Sequence, residues 1–95
     1  MPSITLTVHN PVGLHARPAA LFVKTAKEFP CSITLRNVTS ARAAANAKSP
    51  LAVLTQAVQH GHQIEIAAEG ESADLALAAL RKLVESDFGE GSGHP

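Results

Sequence analysis

The stretch SITLTVHNPVGLHARPAALFVKTAKE, residues 3–28, changes its hydrophobic period once, and that change decides the fold. Ile4, Leu6 and Val8 alternate with Ser3, Thr5, Thr7 and His9, the period-two pattern of a strand buried on one face. Asn10-Pro11-Val12-Gly13 breaks the strand as a turn. From Ala16 to about Glu28 the period becomes helical: Ala19, Phe22, Val23 and Ala26 share a face that Lys24, Lys27 and Glu28 avoid. Pro18 would break a helix interior, but in a first turn its missing N–H costs nothing. The helix therefore starts near His15.

Working outward, Phe29-Pro30 ends the helix, and Ile33 and Leu35 resume strand alternation before a weakly marked turn from Asn37 to Ala41. Arg42 to Ala47 is read as a short third strand, although its alanines are poor strand formers. Ser49-Pro50 reads as an N-cap followed by proline at the first helical position, opening a short helix to about Gln59 that Gly61 closes. His62 to Ala68 is the last strand, with Ile64 and Ile66 inward. After the turn Glu69-Gly70-Glu71, Ser72 is placed to cap a helix whose Ala73, Ala76, Leu77, Leu80 and Val84 form an apolar stripe, with Arg81 and Lys82 suiting its C-terminal dipole. The order is β-α-β-β-α-β-α. Three apolar stripes must be covered, so the expected architecture is an α+β open-faced sandwich, a four-stranded antiparallel sheet with three helices on one face. Residues 1–88 make the domain, and 89–95 read as a flexible tail or linker remnant.

Ninety-five residues suit a single core, and a composition 45% hydrophobic and 17% charged is that of an ordinary globular chain. Eight Lys and Arg balance eight Asp and Glu, so no global field of the kind nucleic-acid or anionic-membrane binders use is present. With three Phe and no Tyr or Trp, a small nucleic-acid binder is poorly equipped as well. The one cysteine, Cys31, cannot form an intramolecular disulfide, and Met1-Pro2-Ser3-Ile4 lacks the features of a secretory signal. No apolar run approaches the ~20 residues of a membrane span. A soluble, cytoplasmic protein without membrane insertion is expected.

The chemistry concentrates in Gly13-Leu14-His15-Ala16-Arg17-Pro18-Ala19. An imidazole, a guanidinium and unpaired backbone N–H groups meet within one turn of a helix start, where the positive dipole end favours anions. A neutral imidazole is a competent nucleophile toward phosphorus, and Arg17 offers planar donors that match phosphoryl oxygens. Gly13 permits the close turn that leaves His15 exposed. The plainer alternative is a histidine serving as a mediocre cap beside a solvated arginine, and spacing by itself does not separate the two.

Gly-Leu-His-Ala-Arg-Pro-Ala-Ala at 13–20, the continuation Leu-Phe-Val-Lys-Thr-Ala-Lys, and Asn46-Ala47-Lys48-Ser49 before the second helix together resemble the histidine-containing phosphocarrier family HPr of the phosphoenolpyruvate:sugar phosphotransferase system. The likeness runs from Ile4 to about Ser86. It implies an HPr-like sandwich in which His15 takes a phosphoryl group from phospho-enzyme I and passes it to a IIA protein or domain. It implies that Arg17 steadies the phosphoryl oxygens, that the N–H groups of Ala16 and Arg17 lie beside them, and that Pro18 sits in the first turn. Partner docking would use Ala20, Leu51 and Leu54, and a regulatory kinase would act at Ser49. The implied protein is a stoichiometric carrier rather than an enzyme, a monomer with no cofactor beyond the covalent phosphoryl group and no metal.

Some residues depart from the family's pattern. Val12 stands where a small polar residue is common, the link between second and third strands is about three residues longer than in free-standing members and lacks their Asn-Gly turn, and Pro50 replaces an apolar docking residue. The longer link suits a specialised carrier or a domain of a multiphosphoryl transfer protein. A purely regulatory domain is the competing class, and the joint presence of His15 and Arg17 argues against it. Ser49 has a capping role available without any regulation. His9, His60, His62 and His94 lack metal-ligand spacing and are read as solvated turn histidines, and Cys31 as a small, partly buried residue.

Overall fold

The computed structural model describes residues 2–9, 11 and 13–89. The chain forms β1 (Ser3–Thr7), α1 (Ala16–Lys27), β2 (Ser32–Asn37), β3 (Ala45–Asn46), α2 (Pro50–Thr55), β4 (Gln63–Glu69), α3 (Ala73–Glu85) and a 3-10 turn, Asp87–Gly89. The expected α+β order holds. The sheet runs β1-β4-β2-β3 with every neighbouring pair antiparallel.

Register follows from the period-two pattern. Ile66 faces Ile4 on one side and Leu35 on the other, while Ile64 faces Leu6 and Asn37. Leu6, Ile33, Leu35, Ile64, Ile66 and Ala68 are all buried on the face that the helices cover. A one-residue slip would turn this whole set to solvent, so the pattern holds the pairing. The helical stripes close the core as the periodicity predicts: Ala19, Phe22, Val23 and Ala26 of α1 and Ala73, Ala76, Leu77, Leu80 and Val84 of α3 are buried.

Four local expectations are corrected. The third strand is only Ala45–Asn46, because the carbonyl of Ala43 accepts Gln56 Nε2 at 2.8 Å and Arg42 N–H donates to Asn37 O at 3.2 Å, which turns the preceding residues away from β2. Helix α2 stops at Thr55 rather than near Gln59, and the left-handed residue after it is Ala57 (φ 51°), not Gly61. Gly61 instead belongs to the turn entering β4, where its N–H donates to Val8 O at 2.8 Å. Ser72 occupies the N-cap position of α3 but is itself left-handed, and its side chain makes no capping bond. Ser49 does cap α2: its Oγ accepts from Ala52 N at 3.3 Å, with Pro50 first in the helix.

The domain reaches past α3. Asp87 and Phe88 both adopt positive φ, which folds the chain back and buries Phe88 in the core. Of the stretch read as a flexible tail, Gly89 ends this 3-10 turn and 90–95 lie outside the described residues. Truncating Phe88 empties a core site, so Phe88→Ala is expected to lower stability by about 3 kcal/mol, measured by urea unfolding. A change below 0.5 kcal/mol would show that the 3-10 turn does not close the core.

Candidate functional site

His15 is the N-cap residue of α1, in extended backbone (φ −84°, ψ −169°), and its exposed side chain makes no capping hydrogen bond. Its carbonyl accepts from Ala19 N at 2.8 Å, the first bond of the helix. Pro18 has no N–H to offer, and the amides of Ala16 and Arg17 find no acceptor among the described residues. Among the described residues, two donors therefore stand open at the helix start that carries the imidazole. No acidic residue lies in the first turn of α1 to neutralise its positive end.

Arg17 is exposed and makes no hydrogen bond or ion pair to any described residue. By contrast Arg36 pairs with Glu65 at 3.1 Å and Arg81 with Glu85 at 3.4 Å. Among the described residues the Arg17 guanidinium is thus uncommitted, at the same helix end as the imidazole and the two amides.

What aims His15 outward is the turn before it. Gly13 has φ +64°, a left-handed conformation that side chains disfavour, and a Cβ there would run into Val58 O and lie 2.6 Å from Gln59 Cα. Leu14, buried, donates its N–H to Val58 O at 2.9 Å. The chain thus rests on the backbone of residues 58–59 and leaves His15 at the rim. There a shallow hollow of about 240 Å³ opens, walled by His15, Ala16, Leu54, Ala57 and Gln59 among others.

The structure brings together His15, Ala16 and Leu54, while Ala20 and Leu51 stand exposed on α1 and α2, which pack against each other. Leu51 is 73% exposed and Leu54 40%, and Leu75 of α3, away from this corner, is exposed as well. Ser49 is half-buried at the start of the same helix. Ala57, Val58 and Gln59 border the site but were not singled out from sequence, since nothing in their types marks a backbone-to-backbone contact with Gly13. A larger hollow of about 570 Å³ between Pro2 and Leu75 is bordered by Glu69 and Asp74, whose carboxylates oppose an anion.

Two further expectations change. Cys31 is fully buried. His62 is half-buried, not solvated: its Nδ1 lies 3.1 Å from Asn37 Nδ2 and 3.2 Å from Gln59 N. His9 and His60 are exposed, with His60 Nδ1 3.0 Å from His9 O. Among the described residues no group of three or more His, Cys, Asp or Glu is arranged to hold a metal ion, and no helix is long and apolar enough to cross a membrane.

The fold and its helix-start histidine define an open-faced α+β sandwich with an exposed, anion-favouring corner. A family model described as the PTS HPr component phosphorylation site matches residues 2–86, and the chain belongs to this HPr family of phosphocarriers. It is 40% identical over 92 residues to the phosphocarrier protein HPr of Pseudomonas aeruginosa, covering 96% of this chain and 99% of that one. It is also 40% identical to the multiphosphoryl transfer protein of Vibrio cholerae, over 92% of this chain but only 22% of that protein's length. A crystal structure of HPr-C-His from Thermoanaerobacter tengcongensis superposes with a TM-score of 0.89 at 40% identity, covering 96% of this chain and 99% of that one.

The Gly13 contact yields a test. Gly13→Ala must strain a left-handed residue and displace the backbone of Val58 and Gln59, so a loss of roughly 2–3 kcal/mol is expected in thermal or urea unfolding. The amide resonances of Leu14, His15 and Gln59 should shift together. Wild-type stability in this variant would mean that the turn does not rest on the 58–59 backbone.

Proposed function

We propose that His15 carries the phosphoryl group, received from phospho-enzyme I and passed to a IIA protein or domain during phosphoenolpyruvate-dependent sugar uptake. The observation that carries this reading is the exposed His15 side chain at a helix start whose Ala16 and Arg17 amides are open. In acceptance, a ring nitrogen lone pair of His15 forms the N–P bond as the bond from phosphorus to the donor breaks. The donor group departs with that electron pair, and the product is phosphohistidine. The amides of Ala16 and Arg17 donate to phosphoryl oxygens, Arg17 adds its planar fork, and Pro18 holds the first turn without competing for the anion. Donation reverses these bond changes on the next protein.

The phosphoryl group is the whole chemical cargo, so neither metal nor further cofactor is required, and the chain is consumed and regenerated rather than acting as a catalyst. An open corner encloses no small substrate, which suits transfer between proteins. Exposed Leu51, Leu54 and Ala20 supply the apolar contact for such partners, with the chain acting as a cytoplasmic monomer. A regulatory kinase at Ser49 would place its charge at the positive end of α2 beside this apolar surface, tolerated by the fold and unfavourable for docking.

Incubation with phosphoenolpyruvate and enzyme I, followed by intact mass, tests the reading. The wild-type chain should gain one acid-labile phosphoryl group. His15→Ala should gain none while keeping its fold by circular dichroism, and acceptance by that variant would refute the assignment.

Arg17→Lys should fold normally and transfer roughly tenfold more slowly, because a point charge replaces a fork that can hold two oxygens. Equal rates in rapid-quench measurements would reduce Arg17 to diffuse charge.

A further inference from the structure

Asn37 occupies an inward position of β2, opposite Ile64, where the pattern of Ile33 and Leu35 would place another apolar residue. It is wholly buried, and its amide is oriented by its partners: Oδ1 accepts from Ser40 N at 3.1 Å, so the opposite atom is the NH2 group, donating to Gln56 O at 3.0 Å. That same Nδ2 lies 3.1 Å from His62 Nδ1. The backbone N–H of Gln59, which can only donate, also points at His62 Nδ1, at 3.2 Å. Two donors converge on one ring nitrogen. Nδ1 must therefore be bare and the ring proton must sit on Nε2, which makes His62 the neutral Nε2–H tautomer in this arrangement.

The segment this ring holds is the one beneath the site. Gln59 and His62 are joined a second time by His62 N–H donating to Gln59 O at 3.0 Å, and Val8 N–H donates to His62 O at 2.9 Å. Against the other side of the same segment lie Gly13 and Leu14, through Val58 O and Gln59 Cα. A continuous series of contacts thus leads from buried Asn37 through His62 and Gln59 to the residue before His15.

We infer that His62 is a positioning residue for the His15 site, its neutral ring holding the Val58–Gln59 segment on which the Gly13–Leu14 turn rests. The inference builds on the reading of His15 as the phosphoryl-bearing residue. His62 touches no reacting atom. Its contribution is to tie the exposed Gln59 N–H to the same acceptor as Asn37 Nδ2, a buried group that cannot turn to water instead. Removing the ring leaves buried Asn37 Nδ2 with one acceptor fewer and leaves the exposed Gln59 N–H to water, which frees the platform to move. Asparagine at this position restores an acceptor near the place of Nδ1, so it is the conservative variant.

Three measurements test this. In wild-type protein, ¹⁵N resonances of the His62 ring should show a protonated Nε2 and a bare Nδ1. In His62→Ala, amide hydrogen exchange at Leu14 and Gln59 should speed up at least tenfold, and His62→Asn should recover most of that protection. With phosphoenolpyruvate and enzyme I, His62→Ala should lower the saturated rate of phosphorylation about tenfold, less than the hundredfold that a full ångström of misplacement can bring. Its KM for enzyme I should stay within twofold, since Leu51 and Leu54 are untouched, and His62→Asn should restore the rate. A ring protonated on Nδ1, unchanged Leu14 exchange in the Ala variant, or wild-type transfer by that variant each overturns the inference. If the wild-type chain accepts no phosphoryl group, the His15 reading falls instead, and the ring ¹⁵N resonances and the hydrogen exchange still decide the role of His62.

Discussion

Gly13 and Leu14 lie directly on the main chain of Val58 and Gln59, and this contact joins the start of α1 to the segment between α2 and β4. It requires a residue without Cβ at 13, a left-handed φ there, and a helix α2 short enough to release residues 57–59 beneath the turn. Ala57 takes a positive φ to allow it, a strain of about 1 kcal/mol that the burial of Val58 and Leu14 offsets. Because the approach is backbone to backbone, no side-chain rotation can soften it. The N-terminal turn of α1 is consequently held at the rim with its first donors facing out.

The platform is stiffened by polar atoms rather than by additional apolar packing. Asn37 and Gln56 are the buried polar residues of the described chain, and they bond each other twice: Asn37 N to Gln56 Oε1 at 2.8 Å and Asn37 Nδ2 to Gln56 O at 3.0 Å. Gln56 Nε2 reaches on to Ala43 O, and Asn37 Oδ1 takes Ser40 N. The two bonds between Asn37 and Gln56 are buried, so each is strong and leaving either unmade would be costly. An apolar pair of the same volume would fill the space but would not dictate how the β2–β3 connection and the end of α2 meet.

On the proposed reading of His15, the open shape of this corner suits chemistry that is shared between proteins. Nothing encloses His15, so a small molecule would gain little burial there, whereas a second protein can cover the helix start and the neighbouring leucines together. The absence of an acidic residue in the first turn of α1 keeps the positive end available to an anion. Rigid support from below and openness above are complementary requirements, since the incoming partner brings its own surface and the histidine must already be in place.

Sequence alone located most of the elements and placed His15 and Arg17 together at one helix start. Period-two and helical stripes located the inward residues of β1, β2, β4, α1 and α3, because burial on one face imposes those periods whatever the topology. Ser49-Pro50 marked the start of α2 for the equally local reason that an N-cap oxygen and a proline suit a first turn. His15, Arg17 and the open amides were legible because they are neighbours in the chain. The boundaries that failed were those decided at a distance. The third strand shrank because Ala43 O is taken by a side chain 13 residues away, and α2 stopped early because Val58 is needed beneath Gly13. Ser72 read as a cap, but its left-handed backbone removes the geometry that capping requires. His62 looked like a solvated turn residue because its acceptor role depends on Asn37, 25 residues earlier, and on an amide orientation that only Ser40 and Gln56 impose. Local pattern reports the forces that act between near neighbours. Which donors share which acceptor across the fold was decided only when the sheet and helices closed on one another.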